Sequence, residues 1–226
     1  MLNEETQSHV RDVFKIESEC VRDMERYLDD ERFSKAVEIL KGARCIGTSG
    51  CGHSGIICQH FSHLLCCIEL SAKFISPAEA IHGGMGFLHE SDAIVLASRG
   101  GKTRELFPIA DIAKSKGVKI ITVTENEDSH LAKIADVVLK QYVNRETDPD
   151  NEQGTTSTTS LAVIFHALQT ALIYETGYNS EQFAVIHPGG AVGERLNGEK
   201  CSGRQISTII FTRRQYNGIQ SLSERS

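Results

Sequence analysis

The chain has 226 residues, of which 40% are hydrophobic and 24% are charged, and this composition is typical of one large or two small globular domains. Its formal net charge is −6 and its pI is near 5.9. These values argue against a general polyanion binder, because nucleic-acid affinity depends on clustered Lys and Arg. We therefore expect no nucleic-acid partner and one main domain with extensions.

The first residues do not combine a basic stretch with an apolar core, and no apolar run approaches the length that spans a bilayer. We expect a cytoplasmic protein with no membrane partner. The seven cysteines form an odd set without a C-x-x-C pair, which argues against a disulfide framework or a zinc ribbon. His60, His63 and Cys67 share one face of a predicted helix, and we interpret this stripe as packing and not as a metal site.

Helical spacing of apolar residues predicts an amphipathic helix over residues 3–28 and a shorter helix over residues 33–40. Short apolar runs then alternate with helical patterns. The runs, which we interpret as strands, cover residues 45–48, 73–75, 93–97, 118–123 and 136–139. The other helices are predicted over residues 54–67, 77–81, 104–116, 129–135 and 156–176. This alternation predicts β-α-β crossovers and a parallel sheet covered on both faces.

The predicted organisation has three parts. N-terminal helices over residues 1–42 pack on the domain or on a neighbouring subunit, and the main domain covers residues 43–196. Residues 197–226 form a tail that is polar apart from residues 206–211. The tail is too short for a second domain of usual size, and we expect it to be partly disordered or to pack on another subunit.

The sequence GCGHSG at residues 50–55 follows the first strand and matches the G-x-G-x-x-G phosphate-binding fingerprint. A dinucleotide site also needs an acidic residue at the end of the second strand. Here Glu79 lies inside the helix that Pro77 begins, so it is a poor ribose ligand. A Walker A loop around Lys102 fails because Leu96 stands where its first glycine is required. The G-x-S-x-G elbow of serine hydrolases fails as well, because its last glycine is missing.

Three loops rich in Gly, Ser and Thr each precede a predicted helix, at residues 49–54, 98–103 and 154–159. Backbone N–H groups at a helix N-terminus have no intrahelical acceptor and bind anions, and hydroxyl groups add further donors. An ordinary N-cap would explain one such loop. Three of them at the carboxyl edge of one sheet favour a small phosphorylated ligand.

Five motifs carry a resemblance to a known family. They are GCGHSG (50–55), SPAEAIHGGMG (76–86), SRGGKTREL (98–106), NRETDP (144–149) with GTTSTT after it, and HPGGAVGERL (187–196). With these motifs the chain resembles the SIS (sugar isomerase) domain family, and within it the arabinose 5-phosphate isomerase group. The resemblance implies an α/β fold, a three-layer α/β/α sandwich with a five-stranded parallel sheet of flavodoxin-like kind. It also implies a homo-oligomer, a dimer or tetramer, with sites at subunit interfaces.

The activity that the resemblance implies is aldose–ketose isomerisation of a small phosphorylated sugar through an enediol, without a cofactor or a metal. The implied acid–base set is His82, Glu105, Glu146 and His187. A positioned carboxylate or imidazole can remove a proton beside a carbonyl, so these residue types suit the reaction. The implied substrate-binding residues carry hydroxyl or basic groups, and they are Ser49, His53, Ser54, Ser98, Lys102, Thr103, Thr155, Thr156, Ser157 and Thr158.

The sequence departs from the isomerase group at three places. His53 stands where the group has lysine in its first loop, and Gly100 stands where the second loop usually has a hydroxyl, which Arg99 or Lys102 compensates. We also expect no pair of CBS domains. These departures leave two alternatives open, namely a non-catalytic phosphosugar sensor and another SIS chemistry such as hydrolysis or isomerisation of an amino-sugar phosphate.

Overall fold

A computed structural model describes residues 1–201 of the chain. Its strands are β1 (Ile46–Gly50), β2 (Ala72–Phe74), β3 (Ala93–Ala97), β4 (Lys119–Thr124) and β5 (Val137–Lys140). They form a five-stranded sheet in the order β2-β1-β3-β4-β5, and each neighbouring pair is parallel. This is the flavodoxin-like strand order, and the chain switches sides between β1 and β3. The predicted fold class is confirmed, and each strand lies within two residues of its predicted position.

The helices surround this sheet, and most of them coincide with predicted ones. They are α1 (Glu4–Met24), α2 (Asp30–Gly42), α3 (Gly52–Cys66), α4 (Pro77–Ala80), α5 (Phe107–Ser115), α6 (His130–Ile134), α7 (Thr156–Thr176), α8 (Ser180–Ile186) and α9 (Gly190–Cys201). The predicted helix at 104–116 begins instead as a 3₁₀ turn, Arg104–Leu106. Pro108 in the first turn of α5 has no N–H to donate, so the α-helical ladder starts only at Phe107. The sequence analysis did not predict α8 or α9.

Two apolar cores lie on opposite faces of the sheet. Val95 of β3 packs in a core that includes Leu40 of α2, and the rings of Phe61 in α3 and Phe165 in α7 stack there with centroids 4.1 Å apart. The adjacent strand residues Ile94 and Leu96 face the other core, which Ile109 and Ala113 of α5 complete. Successive strand residues point to opposite faces. Because both faces are covered, β3 is a continuous buried apolar run.

Helix α7 is, among the described residues, the one that is long and apolar enough to cross a membrane. The sequence analysis did not anticipate this, because Ser and Thr residues interrupt its apolar pattern. The buried side chains of Leu161, Phe165 and Leu168 lie in the first core, and the helix packs on α1, α2 and α3. It is therefore a core helix of the sandwich and does not indicate a membrane protein.

The chain divides into two compact units, Met1–Phe183 and Ala184–Ser226. The sheet belongs to the first unit. In the described part of the second unit, Gly193 packs so closely on the main chain of His187 and Pro188 that a Cβ would lie 2.6 Å from the His187 carbonyl oxygen. Helix α9 extends into the predicted tail as far as Cys201, and the remainder of that tail, residues 202–226, lies outside the described residues. The predicted boundaries at residues 42/43 and 196/197 stay predictions.

Candidate functional site

The first loop joins β1 to α3, and its three glycines have two different roles. Gly50 and Gly55 bring the end of the strand against the start of the helix, so that a Cβ on Gly55 would lie 2.6 Å from the Gly50 carbonyl oxygen. Gly52 instead has a φ of +54°, and nothing lies within 4 Å of the position of its missing Cβ. The outer glycines therefore serve packing, and the middle one leaves the helix N-terminus open to a ligand.

The N-terminus of α3 carries no side-chain cap within the described chain, since Cys51 at the N-cap position makes no such hydrogen bond. Its first N–H groups have no intrahelical acceptor. Ser54, in the first turn, is half-buried, and the neighbouring His53 is exposed. This end of α3 thus combines unsatisfied N–H groups, a hydroxyl and an imidazole.

The second loop follows β3, the neighbour of β1 in the sheet. The hydroxyl oxygens of Ser98 and Thr103 lie 2.8 Å apart. Gly101 turns the chain with a φ of +63°, and a Cβ there would lie 2.0 Å from the Ser129 hydroxyl oxygen, so only glycine fits. Lys102 is exposed at the tip of the loop. Because β1 and β3 are adjacent and parallel, this hydroxyl pair follows the same sheet edge as the α3 N-terminus.

Glu105 lies exposed in the 3₁₀ turn after the second loop. Burial, and after it the negative charge of Glu105, raise the pKa of the Cys51 thiol. Glu105 follows β3, the parallel neighbour of the strand that leads into the first loop. This predicted acid–base residue therefore lies on the same side of the sheet edge as that loop.

Glu146 is buried, with 1% of its side chain exposed. One carboxylate oxygen accepts a hydrogen bond from the Arg99 guanidinium at 2.5 Å. The other accepts the backbone N–H groups of Thr155 at 2.9 Å and Ser157 at 3.1 Å, and the Thr155 hydroxyl at 3.2 Å. Glu146 thus caps the N-terminus of α7 from another segment of the chain.

The third loop meets the first through Gly154, where a Cβ would lie 3.1 Å from the His53 ring. It meets the second through Glu146, which accepts the N–H groups of Thr155 and Ser157 and pairs with Arg99. The three Ser- and Thr-rich loops therefore converge at one edge of the sheet, as the sequence analysis expected.

Other predicted substrate-binding hydroxyls have partners within the protein. Ser49 is buried and donates to the Ile75 carbonyl oxygen at 2.8 Å, and Thr158 donates to the Gly154 carbonyl oxygen. Thr156 differs, because its buried hydroxyl has no partner among the described residues.

The other two predicted catalytic residues are histidines. His82 is exposed after α4, in the segment that follows β2. His187 is half-buried and belongs to the second compact unit. The roles of both stay predictions.

The described cavities lie away from these loops. One, of about 450 Å³, is lined by residues of α1, α2, β5 and α7, including Met24, Phe33 and Leu139. Another, of about 380 Å³, lies near the C-terminal ends of α3 and α7, where Tyr178 lines it. No group of three or more His, Cys, Asp or Glu side chains within residues 1–201 could hold a metal ion. In the histidine stripe, the His60 ring packs edge-on against that of His166, with centroids 5.8 Å apart.

Sequence reasoning missed the part that Arg99 plays. The residue had been noted only as compensation for a lost hydroxyl, whereas its guanidinium binds Glu125 at 2.9 Å as well as Glu146. An arginine directly after a buried strand, with acidic residues after the next two strands, is a signal that could have been used.

Comparison with known proteins agrees with this architecture. The SIS domain family model matches residues 39–173. An arabinose 5-phosphate isomerase KpsF of Escherichia coli is 34% identical over 188 residues, covering 83% of this chain and 58% of that protein. An arabinose 5-phosphate isomerase KdsD of Pseudomonas aeruginosa is 38% identical over 165 residues, covering 73% and 51%. The chain thus spans a little over half the length of these relatives.

A solved structure from Listeria monocytogenes is similar over nearly the whole sandwich. That protein, provisionally described as a sugar-phosphate isomerase, superposes with a TM-score of 0.80 at 34% identity. The match covers 84% of this chain and all of that one.

Proposed function

Because the chain belongs to the SIS domain family, we propose that it is a sugar-phosphate isomerase that interconverts an aldose and a ketose through an enediol. The observation that carries the proposal is the uncapped N-terminus of α3 at the same sheet edge as the Ser98–Thr103 hydroxyl pair, with Glu105 in the turn that follows this pair. An anion site next to a carboxylate base suits a phosphorylated sugar whose carbon must lose a proton.

The phosphate group would bind between the first two loops. The open N–H groups of α3 and the Ser54 hydroxyl would donate to it from one side, and Ser98 and Thr103 would donate from the other. Lys102 would add positive charge from the exposed tip of its loop. His53, which packs on Gly154, would contact the ligand between the first and third loops.

The sugar would lie under the first turn of α7, where the hydroxyl groups of residues 155–158 follow one another. The Glu146 carboxylate already supplies a negative group there. This turn therefore suits neutral sugar hydroxyls better than a phosphate. The relatives KpsF and KdsD, named arabinose 5-phosphate isomerases, suggest a pentose 5-phosphate as substrate.

Proton transfer would use Glu105, His82 and His187. In the direction from aldose to ketose, a base takes the proton from C2 while an acid protonates the carbonyl oxygen on C1, which gives the enediol. Return of a proton to C1 and loss of the proton on the C2 oxygen complete the ketose. Glu105 is suited to be the base, because its carboxylate is exposed at the loop edge.

We further propose that the protein acts in the cytoplasm as a homo-oligomer, a dimer or tetramer, with sites at subunit interfaces. Exposed apolar side chains support an interface: Phe14 on α1 is 74% exposed, and Ile56 and Ile81, beside the first loop and His82, are 63% and 52% exposed. Size-exclusion chromatography with light scattering would test the oligomer, and a monomer would contradict it.

Proton exchange followed by NMR tests the activity. The protein is incubated in D₂O with a panel of aldose and ketose 5- and 6-phosphates, and deuterium at C1 or C2 is measured together with interconversion. Exchange with interconversion on one substrate is expected and identifies the sugar. Binding without exchange would contradict the isomerase and favour a phosphosugar sensor.

A further inference from the structure

Arg99 bridges two carboxylates that belong to different segments. Its Nε donates to Glu125, which follows β4, at 2.9 Å, and its Nη1 donates to Glu146, in the segment after β5, at 2.5 Å. The backbone makes a third link, since the Arg99 carbonyl oxygen accepts the Glu125 N–H at 2.9 Å. One residue therefore ties together the ends of three neighbouring strands.

Both carboxylate oxygens of Glu146 accept hydrogen bonds in this arrangement. Oε1 accepts the Arg99 guanidinium, and Oε2 accepts the N–H groups of Thr155 and Ser157 and the Thr155 hydroxyl. Only 1% of the side chain is exposed. A general base must reach the carbon-bound proton with a free lone pair. Glu146 presents almost no surface to a ligand, so its carboxylate could reach such a proton only after this segment rearranged.

We propose that Arg99 and Glu146 are a positioning pair, which fixes the first turn of α7 against the loop after β3, and that Glu146 does not transfer the proton. This inference rests on the proposed isomerase function and changes the role that the family resemblance implies for Glu146. The Arg99 guanidinium pairs with the buried Glu146 carboxylate, and this carboxylate in turn holds the Thr155 and Ser157 N–H groups.

The identity of Arg99 matters as well as its charge. A guanidinium is a rigid fork that can donate to two carboxylates at once, whereas the single ammonium of lysine cannot keep both directions. Lysine at position 99 would keep the ion pair with one of the two carboxylates, Glu146 or Glu125, and would weaken the ion pair with the other. The pair therefore predicts that turnover falls from Arg to Lys to Met at this position.

The test combines kinetics with amide hydrogen exchange on the full chain. The variants are Arg99→Lys, Arg99→Met, Glu146→Gln and the double variant Arg99→Met/Glu146→Gln. Arg32→Met is the matched control, because it removes an exposed arginine that pairs with Glu127 and not with Glu146. Turnover of arabinose 5-phosphate is measured at a temperature where circular dichroism shows each variant to be folded.

For a positioning pair, we expect Arg99→Met to lower kcat by about thirtyfold and Arg99→Lys by about threefold, with smaller changes in KM. Glu146→Gln should keep turnover within about tenfold of the wild type, since the amide oxygen still accepts from the helix. The double variant should be no worse than Arg99→Met, because it no longer buries an unpaired charge. Arg32→Met should match the wild type.

A base would behave differently. Loss of turnover and of C2 proton exchange by more than about a thousandfold in Glu146→Gln, with Arg99→Met close to the wild type, would overturn the positioning role. The positioning role would also be overturned if the fold-losses of Arg99→Met and Glu146→Gln multiplied in the double variant, because residues that act independently behave in this way.

Amide exchange separates this inference from the proposed activity. The Thr155 and Ser157 amides should exchange at least about tenfold faster in Arg99→Met, and at wild-type rates in Arg32→Met. If the wild-type protein turns over no sugar phosphate, the isomerase proposal fails, and this exchange result still decides whether the pair holds α7. Unchanged exchange in Arg99→Met would overturn the inference whatever the activity.

Discussion

The N-termini of α3 and α7 are similar in sequence and differ in what satisfies them. Each follows a loop rich in Gly, Ser and Thr, and in each the N-cap side chain makes no capping hydrogen bond. At α7 a buried carboxylate from elsewhere in the chain accepts the N–H groups of Thr155 and Ser157. At α3 no such carboxylate is bonded within the described residues. A helix N-terminus is an anion site only where the protein does not already supply the anion.

The largest expected effect comes from removing the carboxylate at α7. Glu146→Ala leaves Arg99 and the donors of Thr155 and Ser157 without their acceptor, so the free energy of unfolding should fall by about 3 kcal/mol. The control is Glu127→Ala, which breaks an exposed pair with Arg32 and should cost less than about 1 kcal/mol. Urea unfolding measures both. Equal losses would mean that Glu146 does not cap α7.

Supplying a carboxylate at α3 should have the opposite effect on stability and a large effect on activity. Cys51→Asp places an acidic N-cap on α3 and should raise the free energy of unfolding by about 1 kcal/mol. The same charge would repel the phosphate, so kcat/KM should fall by about thirtyfold, or ~2 kcal/mol. Cys51→Ser, a cap without charge, is the control for kinetics. Unchanged kcat/KM in the Asp variant would place the phosphate elsewhere.

Hydroxyl removal should distinguish the two helices by their affinity for phosphate. Ser54→Ala should weaken competitive inhibition by inorganic phosphate about tenfold, because a hydrogen bond to a charged group is lost. Ser157→Ala, in the first turn of α7, should leave that inhibition constant unchanged. The two inhibition constants are measured in the same assay, and equal weakening would show that α7 also binds the phosphate.

The buried hydroxyl of Thr156 should be dispensable for stability. It has no partner among the described residues, so Thr156→Val should raise the free energy of unfolding by about 1 kcal/mol. Thr48→Val is the matched control, because that equally buried hydroxyl donates to the Cys58 carbonyl oxygen at 2.8 Å and its loss should destabilise. If both variants lost stability, the Thr156 hydroxyl would have a hydrogen-bond partner in the folded protein.

The smallest expected effect tests the distance between Glu105 and α3. Burial and then Glu105 raise the pKa of the Cys51 thiol, so less of it is thiolate at a given pH. Glu105→Gln removes one cause and should lower this pKa, which raises the alkylation rate of Cys51 by iodoacetamide at pH 8 about twofold. Mass spectrometry resolves the cysteines, and Glu90→Gln serves as control. An unchanged rate would place Glu105 away from the first loop.

Much of the fold could be predicted from the sequence, because its signals are local. Strand β3 is a short apolar run with small residues around it, and its predicted bounds are confirmed. The bounds of α7 are confirmed too, where helical spacing continues to Gly177, which ends the helix with a φ of +70°. Helix α8 was missed because it is only seven residues long and its apolar residues form one consecutive run, and α9 because its apolar residues are few. The 3₁₀ turn before α5 depends on the effect of Pro108 on the hydrogen-bond ladder.

The candidate site could be predicted only as a set of loops. The sequence identified Ser54, Ser98 and Thr103 by their place after strands, and the structure brings their loops to one edge of the sheet. It could not show that Ser49 donates to Ile75, or that Glu146 is buried in a pair with Arg99. Such facts depend on partners 26 residues away in one case and 47 in another.

The sequence by itself determined the alternation of strands and helices, the parallel sheet and the loops where a ligand can bind, since hydrophobic periodicity and glycine placement act over a few residues. Only the tertiary structure decided which helix N-terminus is open and which is already occupied. That outcome depends on where Arg99 and Glu146, 47 residues apart in the sequence, meet after folding, because a buried carboxylate needs a counter-charge beside it.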